Sequence, residues 1–205
     1  MTDYGKPLRE QEVDPDPLRQ FAAWFRDAEA AGVRMPEAAA LASASADGAP
    51  SVRMVLVKGF DERGFVFYSG YASRKGRELA ANPRAALLFH WDPLGRQVRI
   101  EGPVAHTSAE ESAAYVRERP RASQLSALAS PQSQVIDSRE ALERRVAELE
   151  QRHRGSELPL PSDWGGFRLL AETVELWQQR QDRLHDRLRY RRRDDASWLI
   201  ERLAP

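Results

Sequence analysis

The stretch SVRMVLVKGFDERGFVFY, residues 51–68, decides the fold. Between residues 51 and 60, Val, Met and Leu alternate with other residues, which is typical of a β-strand because successive side chains point to opposite faces. Residues 61–64, Asp-Glu-Arg-Gly, are a turn signal, and a second apolar run begins at Phe65. The stretch therefore predicts two strands joined by a tight turn.

Segments of the same kind lie on both sides. Residues 38–45 precede a turn at Asp47-Gly48, and residues 85–91 and 97–104 flank the turn signal at residues 92–95. Residues 167–178 return to strand character, and residues 184–193 and 198–203 predict a closing hairpin. Short strands joined by tight turns favour an antiparallel barrel or sandwich.

Helix signals surround these strands. Asp16 is expected as the N-cap of a helix with Pro17 at its first position and Gly32 just beyond its end. A second helical stretch begins at residues 73–75. Two capping boxes predict further helices, Ser108 with Glu111 and Asp137 with Glu140. We expect a single α+β domain over residues 1–205, built around a mainly antiparallel β-barrel with peripheral helices.

Composition excludes several classes of protein. The 31 basic and 31 acidic residues leave no net charge, which argues against general nucleic-acid binding. The chain has no cysteine, and its histidines at positions 90, 106, 153 and 185 have no metal-ligand spacing, so we expect no metal. Its apolar runs are too short for a secretory signal or a membrane span, so we expect a cytoplasmic protein. The Rossmann, P-loop and nucleophile-elbow motifs are absent from the sequence.

Basic residues occur where anions bind. Arg74 and Lys75 follow Ser73 in the first turn of a predicted helix, where the helix dipole disfavours cations unless a phosphate or similar anion is bound. The alternative is a solvated surface turn. Arg53 and Lys58 lie in an apolar strand and are expected on opposite faces.

Two further groups could hold an anion. Tyr115 and Arg119 lie four residues apart and are expected on one helix face, with Ser123 just beyond. The alternative is that this is an ordinary solvent-exposed helix face. In a strand, Arg183, His185 and Arg187 would project to one side and offer three donors to an anionic ligand. The alternative for Arg183 is a surface ion pair with Asp182 or Asp186. Trp164 and Trp177 offer flat aromatic surface nearby.

In order and spacing, these motifs resemble the pyridoxine/pyridoxamine 5'-phosphate oxidase family. They are RMVLVK (53–58), FYS (67–69), SRK (73–75), RQV (96–98), RPRASQ (119–124), QS (132–133), WGG (164–166), RLHDR (183–187) and ERLAP (201–205). Met35, Leu128 and Gln179 depart from the family pattern, and Tyr4 matches it but lacks the arginine that usually shortly precedes it.

The resemblance implies an FMN-binding split β-barrel, a homodimer with FMN at the interface, and a C-terminal hairpin over residues 184–205 that completes the active site. It also implies a flexible segment over residues 1–15. We expect Phe89 and Trp91 to be available for the subunit contact. The residues implied to hold FMN are Arg53, Met54, Val55, Leu56, Val57, Lys58, Tyr68, Ser69, Arg74, Lys75, Gln97, Gln132, Ser133, Trp177 and Arg187.

The substrate site implied by the resemblance comprises Lys58, Tyr115, Arg119, Ser123, Arg183, Leu184 and His185, with Arg183 and His185 as the catalytic residues over the substrate ring. The implied reaction converts pyridoxine and pyridoxamine 5'-phosphates to pyridoxal 5'-phosphate, with dioxygen as acceptor and hydrogen peroxide, plus ammonia from the amine, as products. Neither nucleic acid nor membrane is an expected partner. Two alternatives remain: a split-barrel flavin oxidase of phenazine-type biosynthesis, and a non-catalytic flavin- or pyridoxal phosphate-binding protein.

Overall fold

The hairpin predicted from residues 51–68 is present in the computed structural model, which describes residues 6–205. Strands β2 (Pro50–Asp61) and β3 (Gly64–Gly70) pair antiparallel, with a register shift between Val57 and Gly59. Tyr4, a residue shared with the family pattern, is among residues 1–5 and lies outside the described residues.

The remaining strands are β1 (Ala38–Ala44), β4 (Arg84–Trp91), β5 (Arg96–His106), β6 (Trp164–Leu169), β7 (Thr173–Gln178), β8 (Asp186–Arg192) and β9 (Trp198–Arg202). The helices of the described chain are α1 (Pro17–Ala30), α2 (Arg74–Ala81), α3 (Ala109–Glu118), α4 (Arg121–Ala129) and α5 (Arg139–Arg152).

The strands form one antiparallel sheet in the order β4-β1-β2-β3-β6-β5-β7-β8-β9. An additional pairing of β4 with β5 closes the first part of this sheet into a six-stranded barrel. Strands β7, β8 and β9 extend from β5 beyond the barrel. The expected barrel with peripheral helices is confirmed.

Helix α1 covers the barrel with aromatic side chains. The Phe21 ring is fully buried and meets the rings of Phe65 and Phe89 edge-on, both at 4.9 Å. Phe89 and Trp91 are 0% and 1% exposed, inside the chain's own core. The expectation that they serve the subunit contact is therefore wrong, because α1 already covers them.

Four exposed apolar side chains lie together on the outer face of the barrel. Val52, Met54 and Leu56 alternate along β2 with exposures of 70%, 64% and 39%. Leu88 of β4 is also exposed, and β1 lies between β2 and β4 in the sheet. We call these four side chains the outer apolar face.

Most helix boundaries follow the predicted caps. Asp16 accepts a hydrogen bond from the Leu18 N–H at 2.8 Å, and Ser108 caps α3. The capping box expected at Asp137 is displaced by one residue: Ser138 caps α5 and accepts from the Ala141 N–H at 3.1 Å. Ser and Asp are about equally good N-caps, so adjacent candidates are not separated by local preference.

The C-terminal strands differ in detail from the sequence prediction. Residues 167–178, expected as one region of strand, contain the end of β6 and all of β7, which pair with different parts of β5. The closing hairpin is present as β8 and β9, but β8 begins at Asp186 and not at Leu184.

Part of the N-terminal segment has contacts with the sheet. The Leu8 N–H donates to Asp186 at 3.1 Å, and the Tyr190 hydroxyl donates to the Asp14 carbonyl at 2.8 Å. Val13 is buried. These contacts hold residues 8–14 of the expected flexible segment beside β8. In the described part of the chain, no helix combines the length and apolar character needed to cross a membrane.

Candidate functional site

The start of α2 has the geometry of an anion site. Ser73 is its N-cap, and the Ser73 hydroxyl accepts from the Gly76 N–H at 3.2 Å. Arg74 and Lys75 occupy the first turn, as the sequence predicted. Cationic side chains and the positive end of the helix dipole thus point to the same place, an arrangement that favours a bound anion.

Lys75 is a buried cation beside neutral partners. Its side chain is largely buried, and Nζ lies 2.9 Å from Ser69 Oγ and 3.5 Å from Gln132 Oε1. Burial lowers the pKa of Lys75, and the charge of Arg53 lowers it further. Gln132 Oε1 also accepts from Ser69 Oγ at 2.8 Å. The structure therefore brings three residues predicted for the cofactor together; Ser133 follows with a φ of 69°.

Arg53 and Lys58 lie on opposite faces of β2, as predicted. Arg53 faces inward and contacts Glu78 at 3.0 Å. Lys58 is on the outer face, where Nζ lies 3.5 Å from Glu37 Oε1. Between them the predicted cofactor residues divide: Val55 and Val57 point inward, and Met54 and Leu56 point outward.

An aromatic stack lies next to the α2 site. The Tyr68 and Tyr115 rings stack at 3.7 Å, and the Trp164 ring is 5.7 Å from that of Tyr68. The Arg119 guanidinium lies 4.7 Å above the Trp164 ring, a cation–π contact. Burial raises the pKa of Tyr68 to about 12, with a further contribution from Glu111, so this hydroxyl stays protonated at neutral pH.

Arg119 has an unused donor. Its Nη1 atom is buried and has no hydrogen-bond partner among the described residues. Arg119 is the C-cap of α3, with ψ at 147°, so the expectation that it shares a helix face with Tyr115 is wrong. The two residues come together because both contact the Trp164 ring. Ser123 lies nearby in the first turn of α4.

Two clefts open beside these groups. One, of about 220 Å³, is lined by Ser73 and Gln132 from the α2 site and by Arg119 and Trp164 from the stack. The other, of about 200 Å³, is lined by Lys58 and Tyr68 among others. The predicted cofactor and substrate residues of the barrel therefore border shared space.

A second group of predicted residues crosses the extended sheet. Gln97 of β5 is the cross-strand partner of Trp177 on β7, and Trp177 is the partner of Arg187 on β8. We call these three residues the cross-strand row. The Arg187 Nε–H donates to the buried Glu175 at 2.8 Å.

His185 and Arg183 precede β8 and are not part of a strand, contrary to the prediction. Residues Gln181–Arg183 form a short 3-10 turn in which Asp182 and Arg183 have φ of 55° and 60°. The turn brings the His185 ring 4.5 Å from that of Trp177. His185 Nδ1 accepts from the Arg180 N–H at 3.1 Å, which places the proton of the neutral ring on Nε2. Arg183 and Leu184 are exposed.

Sequence reasoning missed the two carboxylates that organise these groups. Glu78 contacts Arg53 and Arg74, and Glu175 contacts Arg99 and Arg187. A signal existed for Glu78, because it lies four residues after Arg74 on a predicted helix. Glu175 and Arg187 are joined by the pairing of β7 with β8, which local sequence does not specify.

Among the positions that depart from the family pattern, Met35 is 46% exposed and Leu128 lies in α4. Gln179 follows β7, and its N–H donates to the Gly95 carbonyl at 2.8 Å. This bond ties the start of the loop that carries Arg183 to the end of the β4–β5 connection.

Barrel closure, the cationic start of α2 and the extended sheet together define a split β-barrel of the FMN-binding type. A model of the family described as pyridoxamine 5'-phosphate oxidase matches residues 25–153. A second, described as the pyridoxine 5'-phosphate oxidase C-terminal dimerisation region, matches residues 164–205. The chain belongs to the pyridoxine/pyridoxamine 5'-phosphate oxidase family.

Relatives agree with this assignment, and solved structures share the fold. A pyridoxine/pyridoxamine 5'-phosphate oxidase from Rubrobacter xylanophilus is 57% identical over 97% of this chain and 91% of its own length. One from Ralstonia pickettii is 54% identical over 100% of this chain and 96% of its own length. The structure of PhzG from Burkholderia lata, in complex with tetrahydrophenazine-1-carboxylic acid, has a TM-score of 0.90 at 35% identity and covers 97% of this chain and 98% of its own.

A pyridoxamine 5'-phosphate oxidase-related, FMN-binding protein from Nostoc punctiforme has a TM-score of 0.74 at 19% identity, covering 93% of this chain and 98% of its own, and supports the fold alone.

Proposed function

We propose that this chain is a cytoplasmic FMN-dependent oxidase that converts pyridoxine 5'-phosphate and pyridoxamine 5'-phosphate to pyridoxal 5'-phosphate. The observation that carries the proposal is the presence of two cationic sites beside one aromatic stack, at the start of α2 and at Arg119. Two phosphate-sized sites suit a phosphorylated cofactor and a phosphorylated substrate. The names of the relatives support the same assignment.

The residues fit FMN by their chemistry. Its phosphate would be held by Arg53, Arg74 and the buried Lys75, which has hydroxyl and amide partners. The segment 53–58, Tyr68, Ser69, Gln132 and Ser133 would hold the rest of the molecule. Gln97, Trp177 and Arg187 offer amide, aromatic and guanidinium groups in one row and would contact the flavin from the extended sheet.

The substrate phosphate would bind at Arg119. Its Nη1 atom is a buried donor without a partner among the described residues, and such a group destabilises the folded protein. An anionic oxygen of the substrate phosphate would accept its hydrogen bond. Tyr115 stacks beside it, Ser123 adds a hydroxyl from α4, and Lys58 adds a charge from the outer face of β2. A substrate without the phosphate would leave Arg119 unpaired.

Arg183, Leu184 and His185 would cover the substrate ring. The exposed turn presents the Arg183 guanidinium toward solvent, and His185 carries its proton on Nε2, where it can donate to a substrate oxygen. A guanidinium near the phenolic oxygen of the substrate would stabilise developing negative charge. FMN, when bound, supplies the hydride acceptor for the C4' carbon and the reaction with dioxygen that gives hydrogen peroxide.

The site is proposed to be shared by two chains. The cross-strand row lies on β5, β7 and β8, whereas the α2 site and the stack lie on β2, β3, β6, α2 and α3. The family model described as a C-terminal dimerisation region matches residues 164–205, which include Trp177, Arg183 and Arg187. A homodimer would allow the row and turn of one chain to face the α2 site of the other, with FMN between them.

The experiment compares phosphorylated and unphosphorylated substrates. The wild-type chain should oxidise both 5'-phosphates far better than pyridoxine. Arg119→Ala should lose roughly tenfold or more of its kcat/KM for the phosphorylated substrates and change little with pyridoxine, because a charge-assisted contact is removed. An enzyme that oxidises pyridoxine and its phosphate equally well would refute the substrate assignment.

A second candidate is favoured by the PhzG structure, which is a complex with a phenazine carboxylic acid. A phenazine-type oxidase would act on a reduced phenazine carboxylic acid, which carries no phosphate. The same assay therefore includes such a substrate: rapid oxidation of it, with no pyridoxal 5'-phosphate formed from either vitamer, would favour this second function. The 57% identity to a pyridoxine/pyridoxamine 5'-phosphate oxidase favours the first.

A further inference from the structure

Glu78 is a buried carboxylate in the middle of the cationic site. Its side chain is 7% exposed and lies in the second half of α2, facing β1 and β2. Oε2 accepts hydrogen bonds from Ser43 Oγ and Ser51 Oγ, both at 2.6 Å, and from Arg53 Nη2 at 3.0 Å. Oε1 accepts from Arg74 Nε at 2.9 Å.

These contacts fix two arginines in different ways. Arg53 is held on both terminal nitrogens, since Nη1 also donates to Ser43 Oγ at 2.5 Å and to the Leu41 carbonyl at 3.2 Å, and Nη2 also donates to Ser51 Oγ. Its four terminal N–H groups are therefore used within the chain, and it contributes a fixed positive charge to the site. Arg74 is held through Nε, its terminal nitrogens have no hydrogen bond among residues 6–205, and its side chain is 62% exposed. A guanidinium pinned at one edge presents its other edge in a fixed orientation.

The charges have the balance that a phosphate monoester requires. Arg53, Arg74 and Lys75 oppose one carboxylate, a net formal charge of +2. A phosphate monoester carries about −1.5 to −2 at pH 7. Burial raises the pKa of Glu78, but the hydrogen bonds from Ser43, Ser51 and the two arginines outweigh it and lower the pKa to about 2. The carboxylate is therefore charged at any pH at which the enzyme would work.

We propose that Glu78 is a positioning residue for the cofactor phosphate: it fixes the charge of Arg53 beside the phosphate and orients Arg74 to bind it, although its own charge repels that ligand. The inference rests on the proposed FMN site. It predicts an outcome opposite in sign to simple electrostatics, under which removing a negative charge would tighten phosphate binding. In Glu78→Gln, the amide NH₂ would face donors from serine and arginine, so the two guanidinium groups would lose their common anchor.

The test measures the affinities of FMN and riboflavin for the full-length chain after its flavin has been removed. The two flavins differ only in the phosphate, so their ratio reports on the phosphate site. The wild-type chain should prefer FMN, and Glu78→Gln should weaken FMN binding roughly tenfold, the loss of about one charge-assisted hydrogen bond, without weakening riboflavin binding. Glu172→Gln, which removes the exposed partner of Arg84, is the matched control and should leave both affinities unchanged.

The outcomes separate the inference from the function on which it rests. If the wild-type chain prefers FMN and Glu78→Gln keeps or increases that preference, the role of Glu78 is overturned and the FMN site stands. If the wild-type chain binds riboflavin as tightly as FMN, both are overturned. Should Glu78→Gln fail to fold, as judged by its thermal transition, Ser51→Ala removes one neutral donor to Glu78 and keeps every charge. Ser51→Ala should lower the ratio of FMN affinity to riboflavin affinity by a smaller factor than Glu78→Gln. An unchanged ratio would count against the proposal.

Discussion

At the scale of single residues, two buried carboxylates each accept hydrogen bonds from two arginines. Glu78 holds Arg53 and Arg74, and Glu175, which is 5% exposed, holds Arg187 and Arg99. Arginines that are already ordered lose less conformational entropy when a ligand binds. The candidate site therefore depends on acidic residues as well as on the basic residues that the motifs identify.

The pH dependence of stability follows from the lowered pKa of Glu78. Its pKa in the folded protein is about 2, below the ordinary value of 4.5, so its contribution is fully present above about pH 4.5 and is lost as the pH falls toward 2. The free energy of unfolding of the wild-type chain should fall more steeply between those pH values than that of Glu78→Gln. Chemical denaturation at several pH values measures both slopes; parallel curves would show that Glu78 is not charged as described.

Arg183 should matter for turnover and not for flavin content. Arg183→Ala should lower kcat/KM for pyridoxine 5'-phosphate roughly ten- to a hundredfold, the loss of one charge-assisted contact. Arg183→Lys should also be impaired, since an ammonium does not reproduce the planar fork. Arg193→Ala, an exposed arginine beyond β8, is the control. Steady-state kinetics with flavin absorbance decide the matter, and wild-type efficiency in Arg183→Ala would refute the role.

At the scale of elements, the start of α2 lies close to Tyr71 and the end of β3 because Gly76 has no side chain. A Cβ at this position would overlap the Tyr71 carbonyl oxygen. The helix start that carries Arg74 and Lys75 is thereby kept close to Ser69 and the end of β3. The position of the cationic site is thus set by a glycine that is not itself part of it.

Gly76→Ala should destabilise the protein. Alanine gains up to about 1 kcal/mol of helix propensity over glycine, but overpacking typically costs about 1–3 kcal/mol, and here the obstacle is backbone. The cost of overpacking should exceed the gain in helix propensity, so the free energy of unfolding should fall. FMN affinity should also fall, because α2 must move to make room for the added Cβ. Gly59→Ala, where the added Cβ meets nothing within 4 Å, is the matched control. Thermal unfolding compares the two, and a more stable Gly76→Ala would contradict the packing described.

Elements that depend on contacts between residues close together in the chain were predictable from sequence. Features that depend on backbone conformation or on contacts between distant residues were not. Asp16 and Ser73 cap their helices through bonds to residues two or three positions away, which a sequence motif contains. The turn at Asp182 and Arg183 requires positive φ at two residues that are not glycine, so alternation of basic residues was mistaken for a strand. Glu78 depends on partners 25 to 35 residues away, which meet it only in the folded barrel.

At the scale of the whole molecule, the sheet has an uneven outer surface. The outer apolar face, Val52, Met54, Leu56 and Leu88, lies on the barrel, whereas the extended sheet carries the ion pairs of Glu175 and Glu201 with arginines. A contiguous exposed apolar patch of this kind marks an interaction surface. It is the part of the molecule that we expect to be covered in the homodimer.

Met54→Asp should therefore weaken dimer formation and, with it, flavin retention. A buried carboxylate without a partner at an interface carries a large desolvation cost. Val135→Asp makes the same kind of change at a fully exposed side chain outside this face and should remain dimeric. Light scattering at micromolar protein, with the flavin content of each species, tests this; a Met54→Asp dimer with full flavin would place the subunit contact elsewhere.

The most direct measurement for the whole account is the stoichiometry of the reaction itself. Purified chain loaded with FMN is incubated in air with pyridoxine 5'-phosphate, and the dioxygen consumed, the pyridoxal 5'-phosphate formed and the hydrogen peroxide formed are followed together. The proposed function predicts equimolar amounts of all three over many turnovers, and additional equimolar ammonia when pyridoxamine 5'-phosphate is the substrate. A chain that binds FMN but forms no pyridoxal 5'-phosphate from either substrate would contradict it.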